Sequence, residues 1–462
     1  MAWMRISRFF AACIAALTVV VAPSVLADSD SMGNFIITPN SAGLGVLVRT
    51  ERSPYQGVGV HNDLIPLYLY EGERFFMRPT RMGLKVFDDG TNRVEGFFDF
   101  RPEGFPHKDA PVNLAGMRLR QTTTDAGISY SRRASWGTIR GEYVHDALNI
   151  TQGDEFRLGY SYDWHSGPWH LQPGITVKRR SADLNNYYYG VRPDEATSTR
   201  PAYMPGAGTD IWLGIYGMYQ FTSGWRLLGG LGYTLVDSAV RDSPIVVDSN
   251  RPTLYLGAAY DFEVRPHAFD AKSPLVVKAL YGESTRCKLN QILRFGCGSG
   301  DTTGETRIVG LELGRPLVTR LNDWPLDVFG YIGLLRHDER GFQDNFSEFN
   351  ILMKGYYYGF PWDQKVKTRL GIGAGVSFSE RVSYIEASEQ ARKGKTTSRL
   401  LNYLDPTIDV SLGDLFGSKA WKETYFGFGV SHRSGFFGSS RMLGNVDGGS
   451  NYYYTYVEWK MQ

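Results

Sequence analysis

Apolar and polar residues alternate one by one along most of this chain. Over residues 125–131, Ala126, Ile128 and Tyr130 fall on one face of an extended segment, and Asp125, Gly127, Ser129 and Ser131 fall on the other. That period of two is the signature of a strand whose faces meet different surroundings. The same alternation predicts strands over 211–221, 226–236, 253–262, 307–313, 366–378 and 424–434. Turn signals such as Asp88-Asp89-Gly90, Ser166-Gly167-Pro168 and Thr222-Ser223-Gly224 separate such runs, and a glycine-rich stretch fills 435–449. Several runs reach about 10 residues, whereas strands of soluble sandwiches usually stop near ~5–6, and Tyr, Trp and Phe gather at strand ends like an interfacial girdle. The fold class these features predict is all-β, a transmembrane antiparallel β-barrel. At roughly 20–24 residues per strand and loop the chain holds about 18–22 strands, closed as one large barrel or as two in tandem.

A seam interrupts the pattern. Phe262 to His267 closes a strand, and the period is then lost through Lys272-Ser273-Pro274, which predicts a barrel region over 28–265, a linker over 266–274 and a second barrel region over 275–462. The first region is expected to hold about 10–12 strands and the second about 8. One stretch breaks the β pattern: over 383–404, Glu386, Glu389, Gln390, Arg392, Lys393 and Lys395 precede Leu400, Leu401 and Leu404, predicting an exposed helix or lid.

Composition sharpens this picture. Fifty Lys+Arg against 48 Asp+Glu leave a formal charge of +2, which excludes the global basic field of a nucleic-acid binder. Glycine counts 53 of 462 residues and aromatics reach 14%, a balance that disfavours helices and favours strands. At 42% apolar residues the chain is too hydrophobic for disorder. No run after the leader approaches the ~20 apolar residues of a spanning helix.

The leader itself is legible. Arg5 and Arg8 precede an apolar stretch from Phe9 to Val21, and Val25-Leu26-Ala27 offers a small-residue cleavage site before Asp28, so 1–27 reads as a signal peptide that directs export. Of three cysteines, Cys13 leaves with the leader. Cys287 and Cys297 remain, close together in a polar loop of an exported protein, and are expected to form a disulfide. Two thiols with no histidine beside them cannot complete a zinc site. No cofactor and no metal are expected.

Residues spread over the first region carry a resemblance. They are Ser53-Pro54-Tyr55-Gln56-Gly57, Leu64-Ile65-Pro66-Leu67, Tyr70-Glu71-Gly72-Glu73-Arg74-Phe75-Phe76, Arg101-Pro102-Glu103-Gly104-Phe105, Arg180-Ser181-Ala182-Asp183 with Asn186 to Val191, and Asp242-Ser243-Pro244-Ile245-Val246. In this order, across 43–262, the chain resembles the MipA/OmpV family of outer-membrane proteins. The resemblance implies a scaffold that brings murein-synthesising and murein-cleaving enzymes together at the outer membrane, and no catalytic residues. Read as structure instead, Tyr187-Tyr188-Tyr189 are girdle anchors and Glu71 to Arg74 a solvated turn.

Candidate chemistry sits in the second region. Over 424–434, Phe426, Phe428 and Val430 share parity with His432 and Ser434, so phenylalanines facing lipid imply a lipid-facing histidine and serine about 7 Å apart at Cα. Neutral imidazole there can deprotonate Ser434 for attack on an ester. A symmetric hairpin sets Ser434 opposite Asn451 and His432 one diagonal step away, with Asn451 able to orient the imidazole. Glu458 falls on the opposite face and Asp447 in the glycine-rich turn. His432-Arg433-Ser434, then Gly448 to Asn451 and the closing segment Tyr452 to Lys460, resemble PagL-type lipid A deacylase barrels, which implies a lipid A ester hydrolase. The chain departs from that pattern at Gly435, where the family carries Asn, and near Ser450 and Asn451, where it carries Glu. Alternatively His432 and Ser434 donate hydrogen bonds to lipid headgroups. His337-Asp338-Glu339 and the pair His61 and Asp63 read as solvated turns rather than metal sites.

Three functions follow: an interaction scaffold of murein biogenesis, a lipid A ester hydrolase acting through His432, Ser434 and Asn451, and a pore. The expected partners are outer-membrane lipid or lipopolysaccharide and murein enzymes, with no nucleic acid. The expected location is the Gram-negative outer membrane.

Overall fold

The computed structural model describes Phe35 and residues 41–105, 114–222, 224–247, 250–262, 274–294, 296–297 and 302–461. The expected leader, and all of the expected linker except Pro274, lie outside the described residues. The strands form two closed barrels, the tandem arrangement rather than one large ring.

The first barrel is a meander of β1 (Ser41–Arg52), β2 (Val60–Glu71), β3 (Phe75–Met77), β4 (Arg81–Asp88), β5 (Asn92–Arg101), β6 (Thr123–Ala134), β7 (Gly137–Asp146), β8 (Asp154–Ser161), β10 (Trp169–Arg180), β11 (Gly208–Gln220), β12 (Trp225–Leu235) and β13 (Asn250–Phe262). The short β9 (Trp164–Ser166) pairs only with β10, and β13 returns to β1 to close the ring. The second barrel closes eight strands: β14 (Val276–Thr285), β15 (Thr302–Val318), β16 (Leu326–Asp338), β17 (Phe346–Tyr357), β18 (Thr368–Ser379), β19 (Leu400–Ser411), β20 (Thr424–Ser434) and β21 (Asn451–Lys460). Strand ends Ser41, Phe262, Val276 and Lys460 all lie at the ends opposite the longest loops, so both barrels present their turns to one side, the periplasmic one by the usual asymmetry of such barrels.

Alternation sorts the faces as expected. On β6, Ile128 and Tyr130 are 55% and 49% exposed on the outer face, while Asp125 and Ser129 point inward and are buried. The first lumen is divided. Arginines of the β3–β4 turn, β4 and β5 and carboxylates of β5–β8 form a ladder: Arg78 with Glu95 at 2.7 Å, Arg81 with Glu142 at 2.7 Å and with Asp99 at 2.8 Å, Arg101 with Asp125 at 2.6 Å and with Glu155 at 3.0 Å. The opposite wall is apolar, with Leu47, Ile65, Leu67, Leu69, Trp212, Tyr216 and Tyr255 packed around Phe35.

The second lumen is filled. Lys278 meets Glu312 at 2.8 Å and Lys354 meets Asp405 at 2.6 Å in its middle, all four at most 1% exposed, and Arg369 bridges Asp409 and Glu458 at 2.7 and 2.8 Å below them. Glycines make room for this. Gly427 and Gly429 face inward directly opposite Tyr456 and Tyr454, and a Cβ on Gly429 would lie 2.4 Å from the Tyr454 ring. Glycine and aromatic enrichment are thus two sides of one packing rule: tyrosines from one strand occupy the space that glycines leave on the next.

Several expectations change. The helix Tyr384–Arg392, capped by Ser383, is not an exposed lid: Ile385, Glu386 and Gln390 are buried at the long-loop mouth of the second barrel, while Leu400, Leu401 and Leu404 belong to β19. Burial, opposed by Arg433 at 3.0 Å, pushes the Glu386 carboxyl up to about 6. Tyr187–Tyr189 are not girdle residues but end the helix Ala182–Tyr189, with Tyr188 and Tyr189 buried among loop residues of the first barrel. Glu71 is not solvated, being 3% exposed and paired to Arg78 at 3.2 Å and Lys85 at 2.7 Å. Asp63 is a buried partner of Arg49 at 2.8 Å, and His337, one residue before the end of β16, is stacked on Phe346 and 2.8 Å from Glu348. Asp63, Glu71 and His337 all point into the lumen, where Arg49, Arg78 and Glu348 pair with them.

Gly429→Ala is expected to force the Tyr454 ring out of place and destabilise the second barrel by about 1–3 kcal/mol. Denaturant unfolding of the refolded protein checks this; an unchanged midpoint contradicts the packing rule.

Candidate functional site

The site begins with a half-length strand. β3 pairs with β2 only at Tyr70 and Glu71, and β4 covers β5 only as far as Asp99. Among the described residues no strand therefore lies along the rest of β2 on that side. A loop of the second barrel does. The Leu64 N–H donates to Ser439 O at 2.8 Å and the Arg441 N–H to Asp63 Oδ1 at 2.7 Å, while Arg441 Nη1 reaches Pro102 O at 3.4 Å across the gap. Met442, Leu443 and Val446 pack on Phe100 and Leu401. Pro66 has the same parity as Leu64, so it presents no N–H to this edge, the one kind of strand position proline tolerates.

Further along the same face the barrels touch directly. Leu44, Tyr68, Tyr70, Met77 and Met82 of the first pack on Ile351, Ala374, Val376 and Leu400 of the second, and Ala42 and Phe262 pack on Leu317, Val318, Val328 and Met353. The Tyr68 hydroxyl donates to Asn402 Oδ1, and Asn322 Nδ2 donates to the Tyr260 hydroxyl at 2.8 Å. Asn402 is the cross-strand neighbour of Ser434. Ser434 therefore stands where the outer surface of the second barrel turns toward the first, and the loop that seals the first barrel starts immediately after it.

His432 and Asn451 come together more closely than the symmetric hairpin predicts. Asn451 is paired with His432, not with Ser434, because residues 435–450 form no tight turn but a loop docked on the first barrel. His432 Nδ1 lies 2.6 Å from Asn451 Oδ1, and Asn451 Nδ2 donates to Cys287 O at 2.9 Å. A carbonyl can only accept, so the Cys287 contact fixes which end of the amide is the NH2 group. Oδ1 must then face the ring, Nδ1 must carry its proton, and the neutral ring's lone pair lies on Nε2.

The face is not open to lipid as parity alone implies. Phe428 is 54% exposed, but Val430, one step along, is 7% exposed beneath Cys287, Ile292 and Leu289. Residues 287–294, tied to Cys297 by a disulfide with Cα atoms 6.2 Å apart, form a roof loop over β20 and β21, and the Tyr453 hydroxyl donates to Cys297 O at 2.8 Å. His432 and Ser434 are half-buried. The amide after the serine, a frequent oxyanion donor, is engaged: Gly435 N–H donates to Gly448 O at 3.3 Å. Glu458 and Asp447 take no part here, Glu458 being bound to Arg369 in the lumen and Asp447 to Lys395.

Asn402, Tyr68 and the roof loop carry no period-two signal that links them to His432. One signal was present: 64–70 reads Leu-Ile-Pro-Leu-Tyr-Leu-Tyr, apolar at both parities, the mark of a strand buried on both faces. In the Asn451→Ala variant the His432 ring is expected to populate both neutral tautomers. Nitrogen-15 spectra of the labelled protein check this, and a wild-type ring protonated at Nε2 contradicts the assignment.

Residues 43–262 match the family described as MltA-interacting protein MipA. The chain is 29% identical over 223 residues to the MltA-interacting protein of Escherichia coli strain K12, covering 48% of this chain and 88% of that protein. It is 24% identical over 229 residues to the putative outer membrane protein YiaT of the same strain, covering 49% and 92%. It is 32% identical over 155 residues to outer membrane protein Omp26La of Vibrio anguillarum, covering 34% and 60%. The matched span coincides with the first barrel, so this outer-membrane protein carries over residues 43–262 a barrel of the MipA/OmpV type.

Proposed function

We propose that the chain is an outer-membrane scaffold of murein biogenesis whose first barrel presents its periplasmic turns to a murein-cleaving enzyme. The observation that carries this is the match of the whole first barrel to a protein named for its interaction with MltA, over 88% of that protein's length. The interior supports binding rather than transport. In the second barrel the mid-lumen ions Lys278, Glu312, Lys354 and Asp405 are sealed from solvent, and a water-filled pore needs the opposite. In the first, an ion-pair ladder and the cluster around Phe35 line opposite walls and leave a cavity at the periplasmic mouth. The exported chain would lose residues 1–27 and hold its turns on the murein side. Purified full chain is expected to retain a soluble form of its own organism's MltA counterpart on a column, and turn replacements at 89–91 and 135–136 are expected to weaken that retention. Equal retention by an unrelated barrel contradicts the proposal.

A second reading rests on the His432–Asn451 pair. With Nδ1 protonated toward Asn451, Nε2 is the basic atom, as a general base for an adjacent serine requires. Ser434 Oγ would attack a lipid ester carbonyl, His432 would take its proton and pass it to the departing alkoxide, and water would release the acyl group from Ser434. The engaged Gly435 amide and the roof loop weigh against this, so it stands second. Lipid A from cells carrying wild type or Ser434→Ala is expected to differ by one acyl chain in mass spectra if the hydrolase reading holds, and identical patterns end it.

A further inference from the structure

The first barrel carries a cluster that neither reading uses. Gly167 and Pro168 turn β9 back onto β10, pairing Ser166 with Trp169 and His165 with His170. Gly167 takes φ +55, which a glycine adopts without a steric cost. The two imidazoles stack with centroids 4.0 Å apart and planes 19° apart. Asp163 converges on them: its Oδ1 lies 2.8 Å from His170 Nε2 and accepts from Gln172 Nε2 at 2.8 Å. Each of the three side chains offers one ligand atom, and these atoms all lie within 4.8 Å of one another. Asp163 and His170 are half-buried and His165 is exposed, at the short-turn mouth of a lumen cavity of about 500 Å³.

Asp163 thus sets a carboxylate oxygen beside two imidazole nitrogens, all within reach of a single ion. Zinc-class ions bind imidazole nitrogen and carboxylate oxygen at about 2.0–2.2 Å and often take three protein ligands with an open fourth position. Tetrahedral ligands at that distance lie about 3.4 Å apart, so Asp163 and His170 are nearly placed already. The exposed His165 ring closes the remainder by rotation. Gln172 acts as the outer-shell donor that fixes the carboxylate. On its inner side His170 packs against Phe35, with ring centroids 4.6 Å apart, so the site is anchored to the apolar lumen cluster.

We propose that Asp163, His165 and His170 form a binding site for a divalent transition ion of the zinc class at the periplasmic mouth of the first barrel. The open coordination position faces the lumen. The ion ties Asp163, just past β8, to the β9–β10 turn that carries His165 and His170.

The test is calorimetric titration of the full mature chain with Zn2+, refolded in detergent and bearing no polyhistidine tag. One saturable ion per chain is expected, weakened roughly 100-fold or more in His165→Ala and lost in the double variant with His170→Ala. His145→Ala, on the other side of the membrane, is expected to bind as wild type. Folding of each variant is read from its heat-modifiable migration on gels. Zinc-edge X-ray absorption of the loaded wild type provides a measurement that needs no variant and is expected to show two imidazoles. Absence of saturable binding below about 1 mM, equal binding by the double variant, or an absorption spectrum without imidazole scattering overturns the proposal.

Discussion

A strand edge that faces a bilayer must be paired, since lipid offers no hydrogen bonds to a bare N–H or C=O. β3 is too short to cover β2, and the rest of the structure follows from how that shortfall is met. The second barrel brings a loop to the gap, with Ser439 O accepting from Leu64 N–H, Arg441 spanning from Asp63 to Pro102, and Pro66 removing one donor from the edge. The docking sets the barrels side by side with their turns on one side. It places Tyr68 on Asn402 beside Ser434, and it pulls residues 435–450 away from any tight hairpin. The register that opposes Asn451 to His432 is a consequence.

The two interiors divide the work differently. Glycine opposite tyrosine lets the smaller ring fill itself, with Lys278, Lys354 and Arg369 paired to Glu312, Asp405, Asp409 and Glu458. The larger ring has more room than its side chains fill. One wall is a ladder of arginine and carboxylate, the other is aliphatic and aromatic around Phe35, and a cavity remains at the periplasmic mouth. A filled ring is a stable platform and an unfilled ring can take a ligand, which is why the inferred ion site belongs to the first barrel and the docking loop to the second.

Much of this was legible in the chain, because alternation at a period of two survives any arrangement of barrels. β6, β12 and β20 are where the pattern puts them, and His432, Ser434 and Asn451 share the outer face. The register of the last hairpin was not legible, since a loop held by another domain does not obey turn symmetry. The cover over Val430 was equally hidden, because the contacts of Cys287, Ile292 and Tyr453 join segments far apart in sequence. Inward charges such as Asp63, Glu71 and His337 look solvated in the sequence because their partners, Arg49, Arg78 and Glu348, lie outside their own strands. The His165–His170 pair was within reach: the two residues are symmetric about Gly167-Pro168, and counting across that turn pairs them.

The dependence of the first barrel on the second is tested most directly by amide hydrogen exchange along β2. The comparison is between the intact chain and one in which residues 439–443 are replaced by a Gly-Ser segment of equal length. The account predicts that the Leu64 amide loses its protection while amides in the middle of β12 and β13 keep theirs. Unchanged protection at Leu64 would show that the first barrel closes its own wall and would contradict the account.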